Sequence, residues 1–246
     1  MELNFMTLLE KNWKLVAGLF ALLIIGGAGF ILQASLATAK EKKAQEAFFK
    51  VEKKYTDYKT KSQLPDKPEP TQGAVAEKKP TPEALAADLT TAKAELQTFI
   101  GDYPKSKATQ MAALYFSEIA RQENNKELAL TTLQKVQTGD SGLVNTLVQQ
   151  QIGQLLADTE KCKEAIDMWQ KIVTRKEANF LHNELKIQQA LCYQKLNDPK
   201  KAEELLTNIA NQKVDDPQNS SSQNSSSAKE AARYLRLMQI KKVSGT

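Results

Sequence analysis

The stretch "KEAIDMWQKIV", Lys163 to Val173, decides the fold, because the chain carries two more versions of it. Its Ala165 has counterparts at Ala129 in "KELALTTLQKV" and Ala202 in "KKAEELLTNIA", 36 and 37 residues away. Four residues after each alanine stand Leu133, Trp169 and Leu206, and seven after stand Val136, Ile172 and Ile209. Twelve residues before each stand Ser117, Gly153 and Ala190, all small. Apolar residues at such helical spacing, with a small residue on each of two successive segments, describe helix pairs. The pairs cross closely at the small residues, and larger apolar side chains fill the space on either side.

The pattern resembles the tetratricopeptide repeat, which has small residues at its eighth and twentieth positions and a large apolar residue four further on. The resemblance is degenerate. The repeat's usual tryptophan position reads Ala113, Gln149 and Lys186, and its tyrosine survives only as Tyr193, with Ala120 and Leu156 elsewhere. Turns such as "TGDSG" and "RKEANF" account for the longer period. A fourth register lies upstream at Ala92, Leu96 and Phe99, with Pro104 at the usual terminal proline. Its own first helix would fall on the prolines around Pro80. The partner is expected instead from a helix across the linker, where Ala44, Phe48, Val51, Tyr55 and Tyr58 form one apolar stripe. Repeat stacks need capped ends, and "AKEAARYLRLMQIKK", with Ala232, Leu235, Leu237 and Met238, is the expected C-terminal cap.

Ahead of the repeats, Leu15 to Leu32 runs eighteen residues without a charge. As a helix it spans about 27 Å, close to the hydrocarbon thickness of a bilayer. A signal-peptide core is usually about 7–15 residues, so a retained anchor is expected, with Trp13, Lys11 and Lys14 at the interface. Cleavage after Ala37-Thr38-Ala39 is the competing reading and would release a soluble protein. Gly26, Gly27 and Gly29 lack the spacing of a helix-dimerisation motif. Lysines flank both sides of the span, and charge counting leaves orientation open.

The expected organisation is a short head (1–14), a transmembrane helix (15–36), a juxtamembrane amphipathic helix (37–61) and a Pro-rich linker (62–81). A repeat domain (82–218), a Ser-rich loop (219–227, containing "NSSSQNSSS") and a capping helix (228–246) follow. The fold class is all-α: an N-terminal transmembrane helix and then an α-solenoid of helical hairpins.

The formal charge of +5 is local. Residues 40–61 hold eight lysines against four acids, beside the apolar run, while the rest is nearly balanced. A nucleic-acid domain would spread its excess over a folded face, so no nucleic-acid partner is expected. No Gly-rich phosphate loop, Ser-His-Asp order or His/Cys cluster is present. The single His182 reads as a surface residue, and adjacent acids such as Glu203-Glu204 as solvated surface. Neither enzyme activity, nor a cofactor, nor a metal is expected. Cys162 and Cys192 are too few for a disulfide framework. An antiparallel helix pair would bring them within a turn of each other, but helix axes about 8–10 Å apart favour two thiols over a bridge.

The layout as a whole resembles the ancillary subunit of the bacterial Sec translocon. The resemblance is carried by Leu15–Leu32, "AALYFSEIARQENNKELALTTLQKV", "AEELLTNIA" and "YLRLMQIKK". It implies an inner-membrane protein with a cytoplasmic N-terminus and a periplasmic repeat domain. Its implied partners are the translocon channel, periplasmic chaperones and emerging polypeptides. Two other readings stay open. "FIGDYPKSKATQMAALYFSEIA" resembles repeats of scaffolds in outer-membrane and envelope assembly, and a cleaved form would be a soluble periplasmic chaperone.

In the tetratricopeptide family the binding groove lies at the second, fifth, ninth and twelfth positions of each first helix. Here these are Met111, Leu114, Glu118 and Arg121 in one repeat, and Leu147, Gln150, Gln154 and Ala157 in the next. The third supplies Glu184, Ile187, Leu191 and Gln194. With one arginine facing two glutamates, this set suits an apolar or helical peptide held by packing and amide hydrogen bonds. Leu147 and Leu191 also read as core.

Overall fold

The computed structural model describes residues 13–65, 79–104, 106–212 and 222–244, with side chains from residue 35 onward and, in the last helix, over 226–242. Among the described residues every regular element is helical. The helices are α1 (Trp13–Ser62), α2 (Pro82–Asp102), α3 (Lys107–Gln122), α4 (Lys126–Val136) and α5 (Leu143–Asp158). After them come α6 (Cys162–Val173), a short 3-10 turn (Lys176–Ala178), α7 (Asn179–Lys195), α8 (Pro199–Ala210) and α9 (Ser222–Ser244). The chain divides into a first unit, Met1–Ala47, and a second, Phe48–Thr246.

The stretches read as a span and as a juxtamembrane amphipathic helix lie on one helix. The backbone of α1 is continuous from Trp13 to Ser62, because no glycine or proline interrupts the sequence after Gly29. Leu15–Leu32 lies in that helix, but its side chains, the head before Trp13 and the linker's central prolines fall outside the described residues. Among the residues whose side chains are described, no helix is long and apolar enough to cross a membrane.

In the second unit the starts of α2, α3, α4 and α8 are set by side chains that accept otherwise unpaired backbone N–H groups. Ser106 Oγ accepts from Thr109 N at 2.9 Å, Asn125 Oδ1 from Leu128 N at 3.1 Å and Asp198 Oδ1 from Lys201 N at 3.2 Å. Thr81 caps α2, followed by Pro82, whose missing N–H costs nothing in a first turn.

Successive helices pack on one another from α2 onward. All the repeat-signature residues are buried: Ser117, Gly153 and Ala190 on the first helices, Ala129, Ala165 and Ala202 on the second, and Leu133, Trp169 and Leu206 above them. The closest approach is at Gly153. A Cβ there would fall 2.7 Å from Cδ1 and Cε2 of the fully buried Trp169. The Trp169 indole N–H donates to the Gln150 carbonyl one turn away, at 3.3 Å.

The turns inside the pairs repeat too. Asn124, Glu160 and Asn197 adopt positive φ of 59°, 64° and 58°. In each turn the N–H of the following residue (Asn125, Lys161, Asp198) returns to a carbonyl five residues back (Ala120, Leu156, Tyr193), at 2.7–2.9 Å. This closure satisfies the open carbonyls at a helix end. It directs each chain back along its predecessor.

Cys162, at the start of α6, and Cys192, near the end of α7, are joined by a disulfide with Cα atoms 5.2 Å apart. The expectation of two thiols compared the axis spacing with a Cα requirement. Facing Cα atoms each stand about 2.3 Å off their axes, so axes about 9 Å apart bring them to about 4–5 Å, within bridging range. Closing a loop of this separation, 30 residues, stabilises by on the order of 3–4 kcal/mol in the chain-entropy account.

The last helix begins at Ser222, inside the tract expected to be a loop. Serine and asparagine lower helix propensity only by about half a kcal/mol per residue, and extending a helix already nucleated downstream is cheap. The face of α9 that packs is Ala231 and Met238, with Tyr234 and Leu235 beside them, against Ile187, Ala190, Ala202, Leu206 and Ile209. Leu237, expected in the cap, faces outward at 48% exposure, since positions 231, 234/235 and 238 fix the buried stripe.

Replacing Gly153 with alanine gains about 1 kcal/mol of helix propensity but overpacks the Trp169 contact, which typically costs about 1–3 kcal/mol. Trp169 has no room to turn away. Gly153→Ala is expected to lower the unfolding free energy in denaturant titration by about 1 kcal/mol, and Gly153→Val by several times more.

Candidate binding face

The alternate helices α3, α5 and α7, each the first of its pair, present one face, and the end of α1 joins them. From Phe48 on, α1 runs antiparallel to α2. Phe48 meets Phe99 at 5.5 Å between ring centroids, Lys54 pairs with Glu95, and Lys61 Nζ lies 2.8 Å from Asp88. As numbers rise along α1 they fall along α2, so α1 is the first helix of a pair closed across the linker. Of its stripe, Ala44, Phe48 and Tyr55 are buried and Val51 and Tyr58 half-buried.

The junction of α1 with α3 is aromatic and polar at once. Tyr55 stacks on Tyr115 at 4.9 Å, and Phe48 on the same ring at 6.1 Å. Tyr55 Oη donates to Glu118 Oε2 at 2.7 Å, Lys59 Nζ to Glu118 Oε1 at 2.9 Å, and Tyr115 Oη to Glu52 Oε1 at 2.9 Å. Burial, then the Glu118 carboxylate, pushes the Tyr55 phenol far above its usual value. Burial and the bond to Glu52 push Tyr115 up to about 12. For Glu118, burial pulls upward, but the hydrogen bonds from Lys59 and Tyr55 and the charges of Lys59 and Arg121 outweigh it, leaving its carboxyl below the ordinary range.

The expected groove residues divide by what they touch. Glu118 is committed to α1. Arg121 Nη2 stands 3.8 Å from Asp158 Oδ2, linking α3 to α5, and Gln150 Nε2 donates to Glu184 Oε1 at 3.1 Å, linking α5 to α7. Gln154 donates along its own helix to Asp158 at 2.9 Å. Ala157 is buried, and its carbonyl accepts from Lys195 Nζ at 3.4 Å. Ile187 is core, 1% exposed, because α9 packs over α7 and α8 and closes on it. These two belong to the interior and not to an open face. Met111, Leu114, Leu147 and Leu191 are half-buried, and Gln194 lines a cavity with Pro199 at the start of α8 and Met238 on α9.

Two apolar residues of this face went unread in the sequence. Leu143 and Phe180 are 60% and 43% exposed. They stand one turn before Leu147 and Glu184 on the same helix faces, and their separation of 37 residues is the repeat period. That spacing was the signal that marked them. The face therefore carries apolar groups at Leu143, Leu147, Phe180 and Leu191, bounded by polar links between neighbouring helices. Most of those links are solvent-exposed pairs worth about 0–1 kcal/mol each.

His182 Nε2 lies 2.9 Å from the Arg175 carbonyl, and Arg175 reaches Gln149 Oε1 at 2.7 Å, so both serve the α6–α7 turn. Among the described residues no group of three or more His, Cys, Asp or Glu side chains is placed to hold a metal ion. In comparisons with known proteins, no family model, no curated protein and no solved structure matches the chain.

The raised phenols give the junction a pH signature. A phenol whose folded value is raised contributes stability that is whole below about pH 10, its unfolded value, and is lost as pH rises toward about 12 for Tyr115 and beyond for Tyr55. Denaturant unfolding of the full chain is expected to weaken steeply above pH 10. In the Tyr55→Phe/Tyr115→Phe variant the slope in that range flattens.

Proposed function

We propose that this chain is a non-enzymatic protein-interaction module, anchored in a bacterial inner membrane through Leu15–Leu32, with a tetratricopeptide-like α-solenoid on the periplasmic side. In this reading the first-helix face holds an apolar segment of an emerging polypeptide, and the partners are the Sec translocon channel and periplasmic folding factors. The observation that carries it is the set of exposed or half-exposed apolar side chains, Leu143, Leu147, Phe180 and Leu191, on a face whose polar groups are largely paired with one another. Apolar side chains gathered on one face and rimmed by polar groups mark interaction sites, which singly scattered ones do not. The Cys162–Cys192 bridge supports an oxidising compartment. The length and apolarity of Leu15–Leu32 support the anchor.

The test is purification of the full chain from membranes in mild detergent, with the co-purifying proteins identified. The translocon channel is expected in the wild-type sample and lost from Leu143→Asp/Phe180→Asp. Both substitutions fall in first turns, where an acidic side chain suits the helix dipole, so circular dichroism should remain that of the folded domain. Undiminished recovery of the channel with the variant would remove this face from the account. Recovery of outer-membrane assembly components in its place would favour the envelope scaffold.

A further inference from the structure

The stack ends on a helix in the position of a first helix. α9 packs on α8 and also on α7, as α5 packs on α4 and on α3, but among the described residues no second helix follows it. Its inner stripe, Ala231 and Met238, is buried. A unit that ends a repeat stack ordinarily turns a polar side to water, whereas the outer side of α9 is mixed. Arg233, Leu237 and Ile240 recur at intervals of four and three, which places them on one helical stripe. Leu237 is 48% and Ile240 62% exposed. The helix carries five basic residues, Lys229, Arg233, Arg236, Lys241 and Lys242, against one acid, Glu230. Glu230 stands 3.9 Å from Arg233, and Lys242 is taken by Glu203 of α8 at 2.8 Å. Lys229 and Arg236, on the same side as Ile240, are exposed, and among the described residues no ion pair joins either of them.

We propose that the outer side of α9 docks an acidic amphipathic helix of a partner protein, with apolar residues against Leu237 and Ile240 and carboxylates opposite Lys229 and Arg236. Two neighbouring apolar residues flanked by cations match the narrow seam that one helix offers another, where apolar side chains fill the centre and charges at the edges select the partner. Charge decides among the occupants. A second copy of this chain would set the same cations against themselves, and like charges across an interface repel. A bilayer surface would attract the cations, but the hold of a helix on lipid scales with its buried apolar area, and two residues supply little of it. An acidic helix satisfies both kinds of group and extends the stack from its open end. The exposed apolar area is small, so the contact is a transient one. This surface is separate from the first-helix face, and neither assignment depends on the other.

The experiment uses the full chain in phosphatidylcholine nanodiscs and two fluorescent helical peptides of one length. Both carry Leu and Ala along one face, and the other positions are mostly Glu in the first peptide and mostly Lys in the second. Anisotropy titration at low salt is expected to give binding of the Glu peptide about tenfold tighter than of the Lys peptide, the effect of two exposed ion pairs, with the ratio shrinking as salt rises. Lys229→Glu/Arg236→Glu is expected to reverse the preference, and Leu237→Ser/Ile240→Ser to weaken the Glu peptide about tenfold. All four positions are exposed, so circular dichroism should remain that of the folded chain. Equal binding of the two peptides, no binding of either, or a preference unmoved by the charge reversal overturns the proposal. So does binding of the Glu peptide that survives Leu237→Ser/Ile240→Ser. A photoreactive amino acid at Ile240 is expected to give adducts with the Glu peptide in phosphatidylglycerol nanodiscs as well, and adducts with lipid alone would assign this side of α9 to the membrane and overturn the proposal. If Leu143→Asp/Phe180→Asp abolishes binding of the Glu peptide while the α9 variants keep it, the peptide lies on the first-helix face and the α9 assignment fails alone.

Discussion

Each helix pair buries a small residue on both of its helices, and the rest of the second unit follows from that constraint. Ser117, Gly153 and Ala190 on the first helices and Ala129, Ala165 and Ala202 on the second are buried together with the large neighbours Leu133, Trp169 and Leu206, and at Gly153 the first helix comes close enough to meet the Trp169 ring. The pair formed this way exposes a further apolar edge. Only another pair, or a cap, can bury it. At the C-terminal end α9 does so with Ala231 and Met238. At the other end α1 does so with Phe48 and Tyr55, which reach α2 and α3 from the far side of the linker.

This closing role explains why α1 brings tyrosines and lysines to α3. The aromatic rings give area and stacking, while Tyr55, Lys59 and Glu118 meet at one partly buried carboxylate. That carboxylate and its partners fix which side of α1 faces the stack. The same face continues with weaker links, Arg121 to Asp158 and Gln150 to Glu184. These link neighbouring first helices, and Leu143 and Phe180 stay exposed on the same face. The disulfide adds a covalent tie between the second and third of the 36–37-residue pairs.

Much of this was legible in the sequence, for a physical reason: small-small crossings with large residues four and seven positions on require fixed spacing, and fixed spacing survives change of residue type. Thus Ala92, Leu96 and Phe99 announced a pair whose first helix had to come from elsewhere, and α1 supplies it. Other features left no such mark. Asn124, Glu160 and Asn197 share a left-handed turn although glutamate does not favour it, so composition hid a repeating element that numbering alone reveals. Groove positions assigned by family place a residue on a helix face without saying what covers that face. Ile187 is therefore core, because α9 lies over it, and Glu118 is bound to α1. Leu143 and Phe180 were missed because they precede the repeat's first position. The cavity at Gln194 needs residues from α7, α8 and α9 together, and no local pattern joins them.

The account's central claim is that polypeptide lies on the face of the first helices and not on the second helices behind it. Photo-crosslinking in intact membranes tests it most directly, with a photoreactive amino acid placed singly at Leu143 or Phe180 on that face, and at the exposed Thr131 or Lys171 on α4 and α6. The account predicts polypeptide adducts from positions 143 and 180 and none above background from 131 and 171. Adducts of equal or greater yield from 131 and 171 would contradict it.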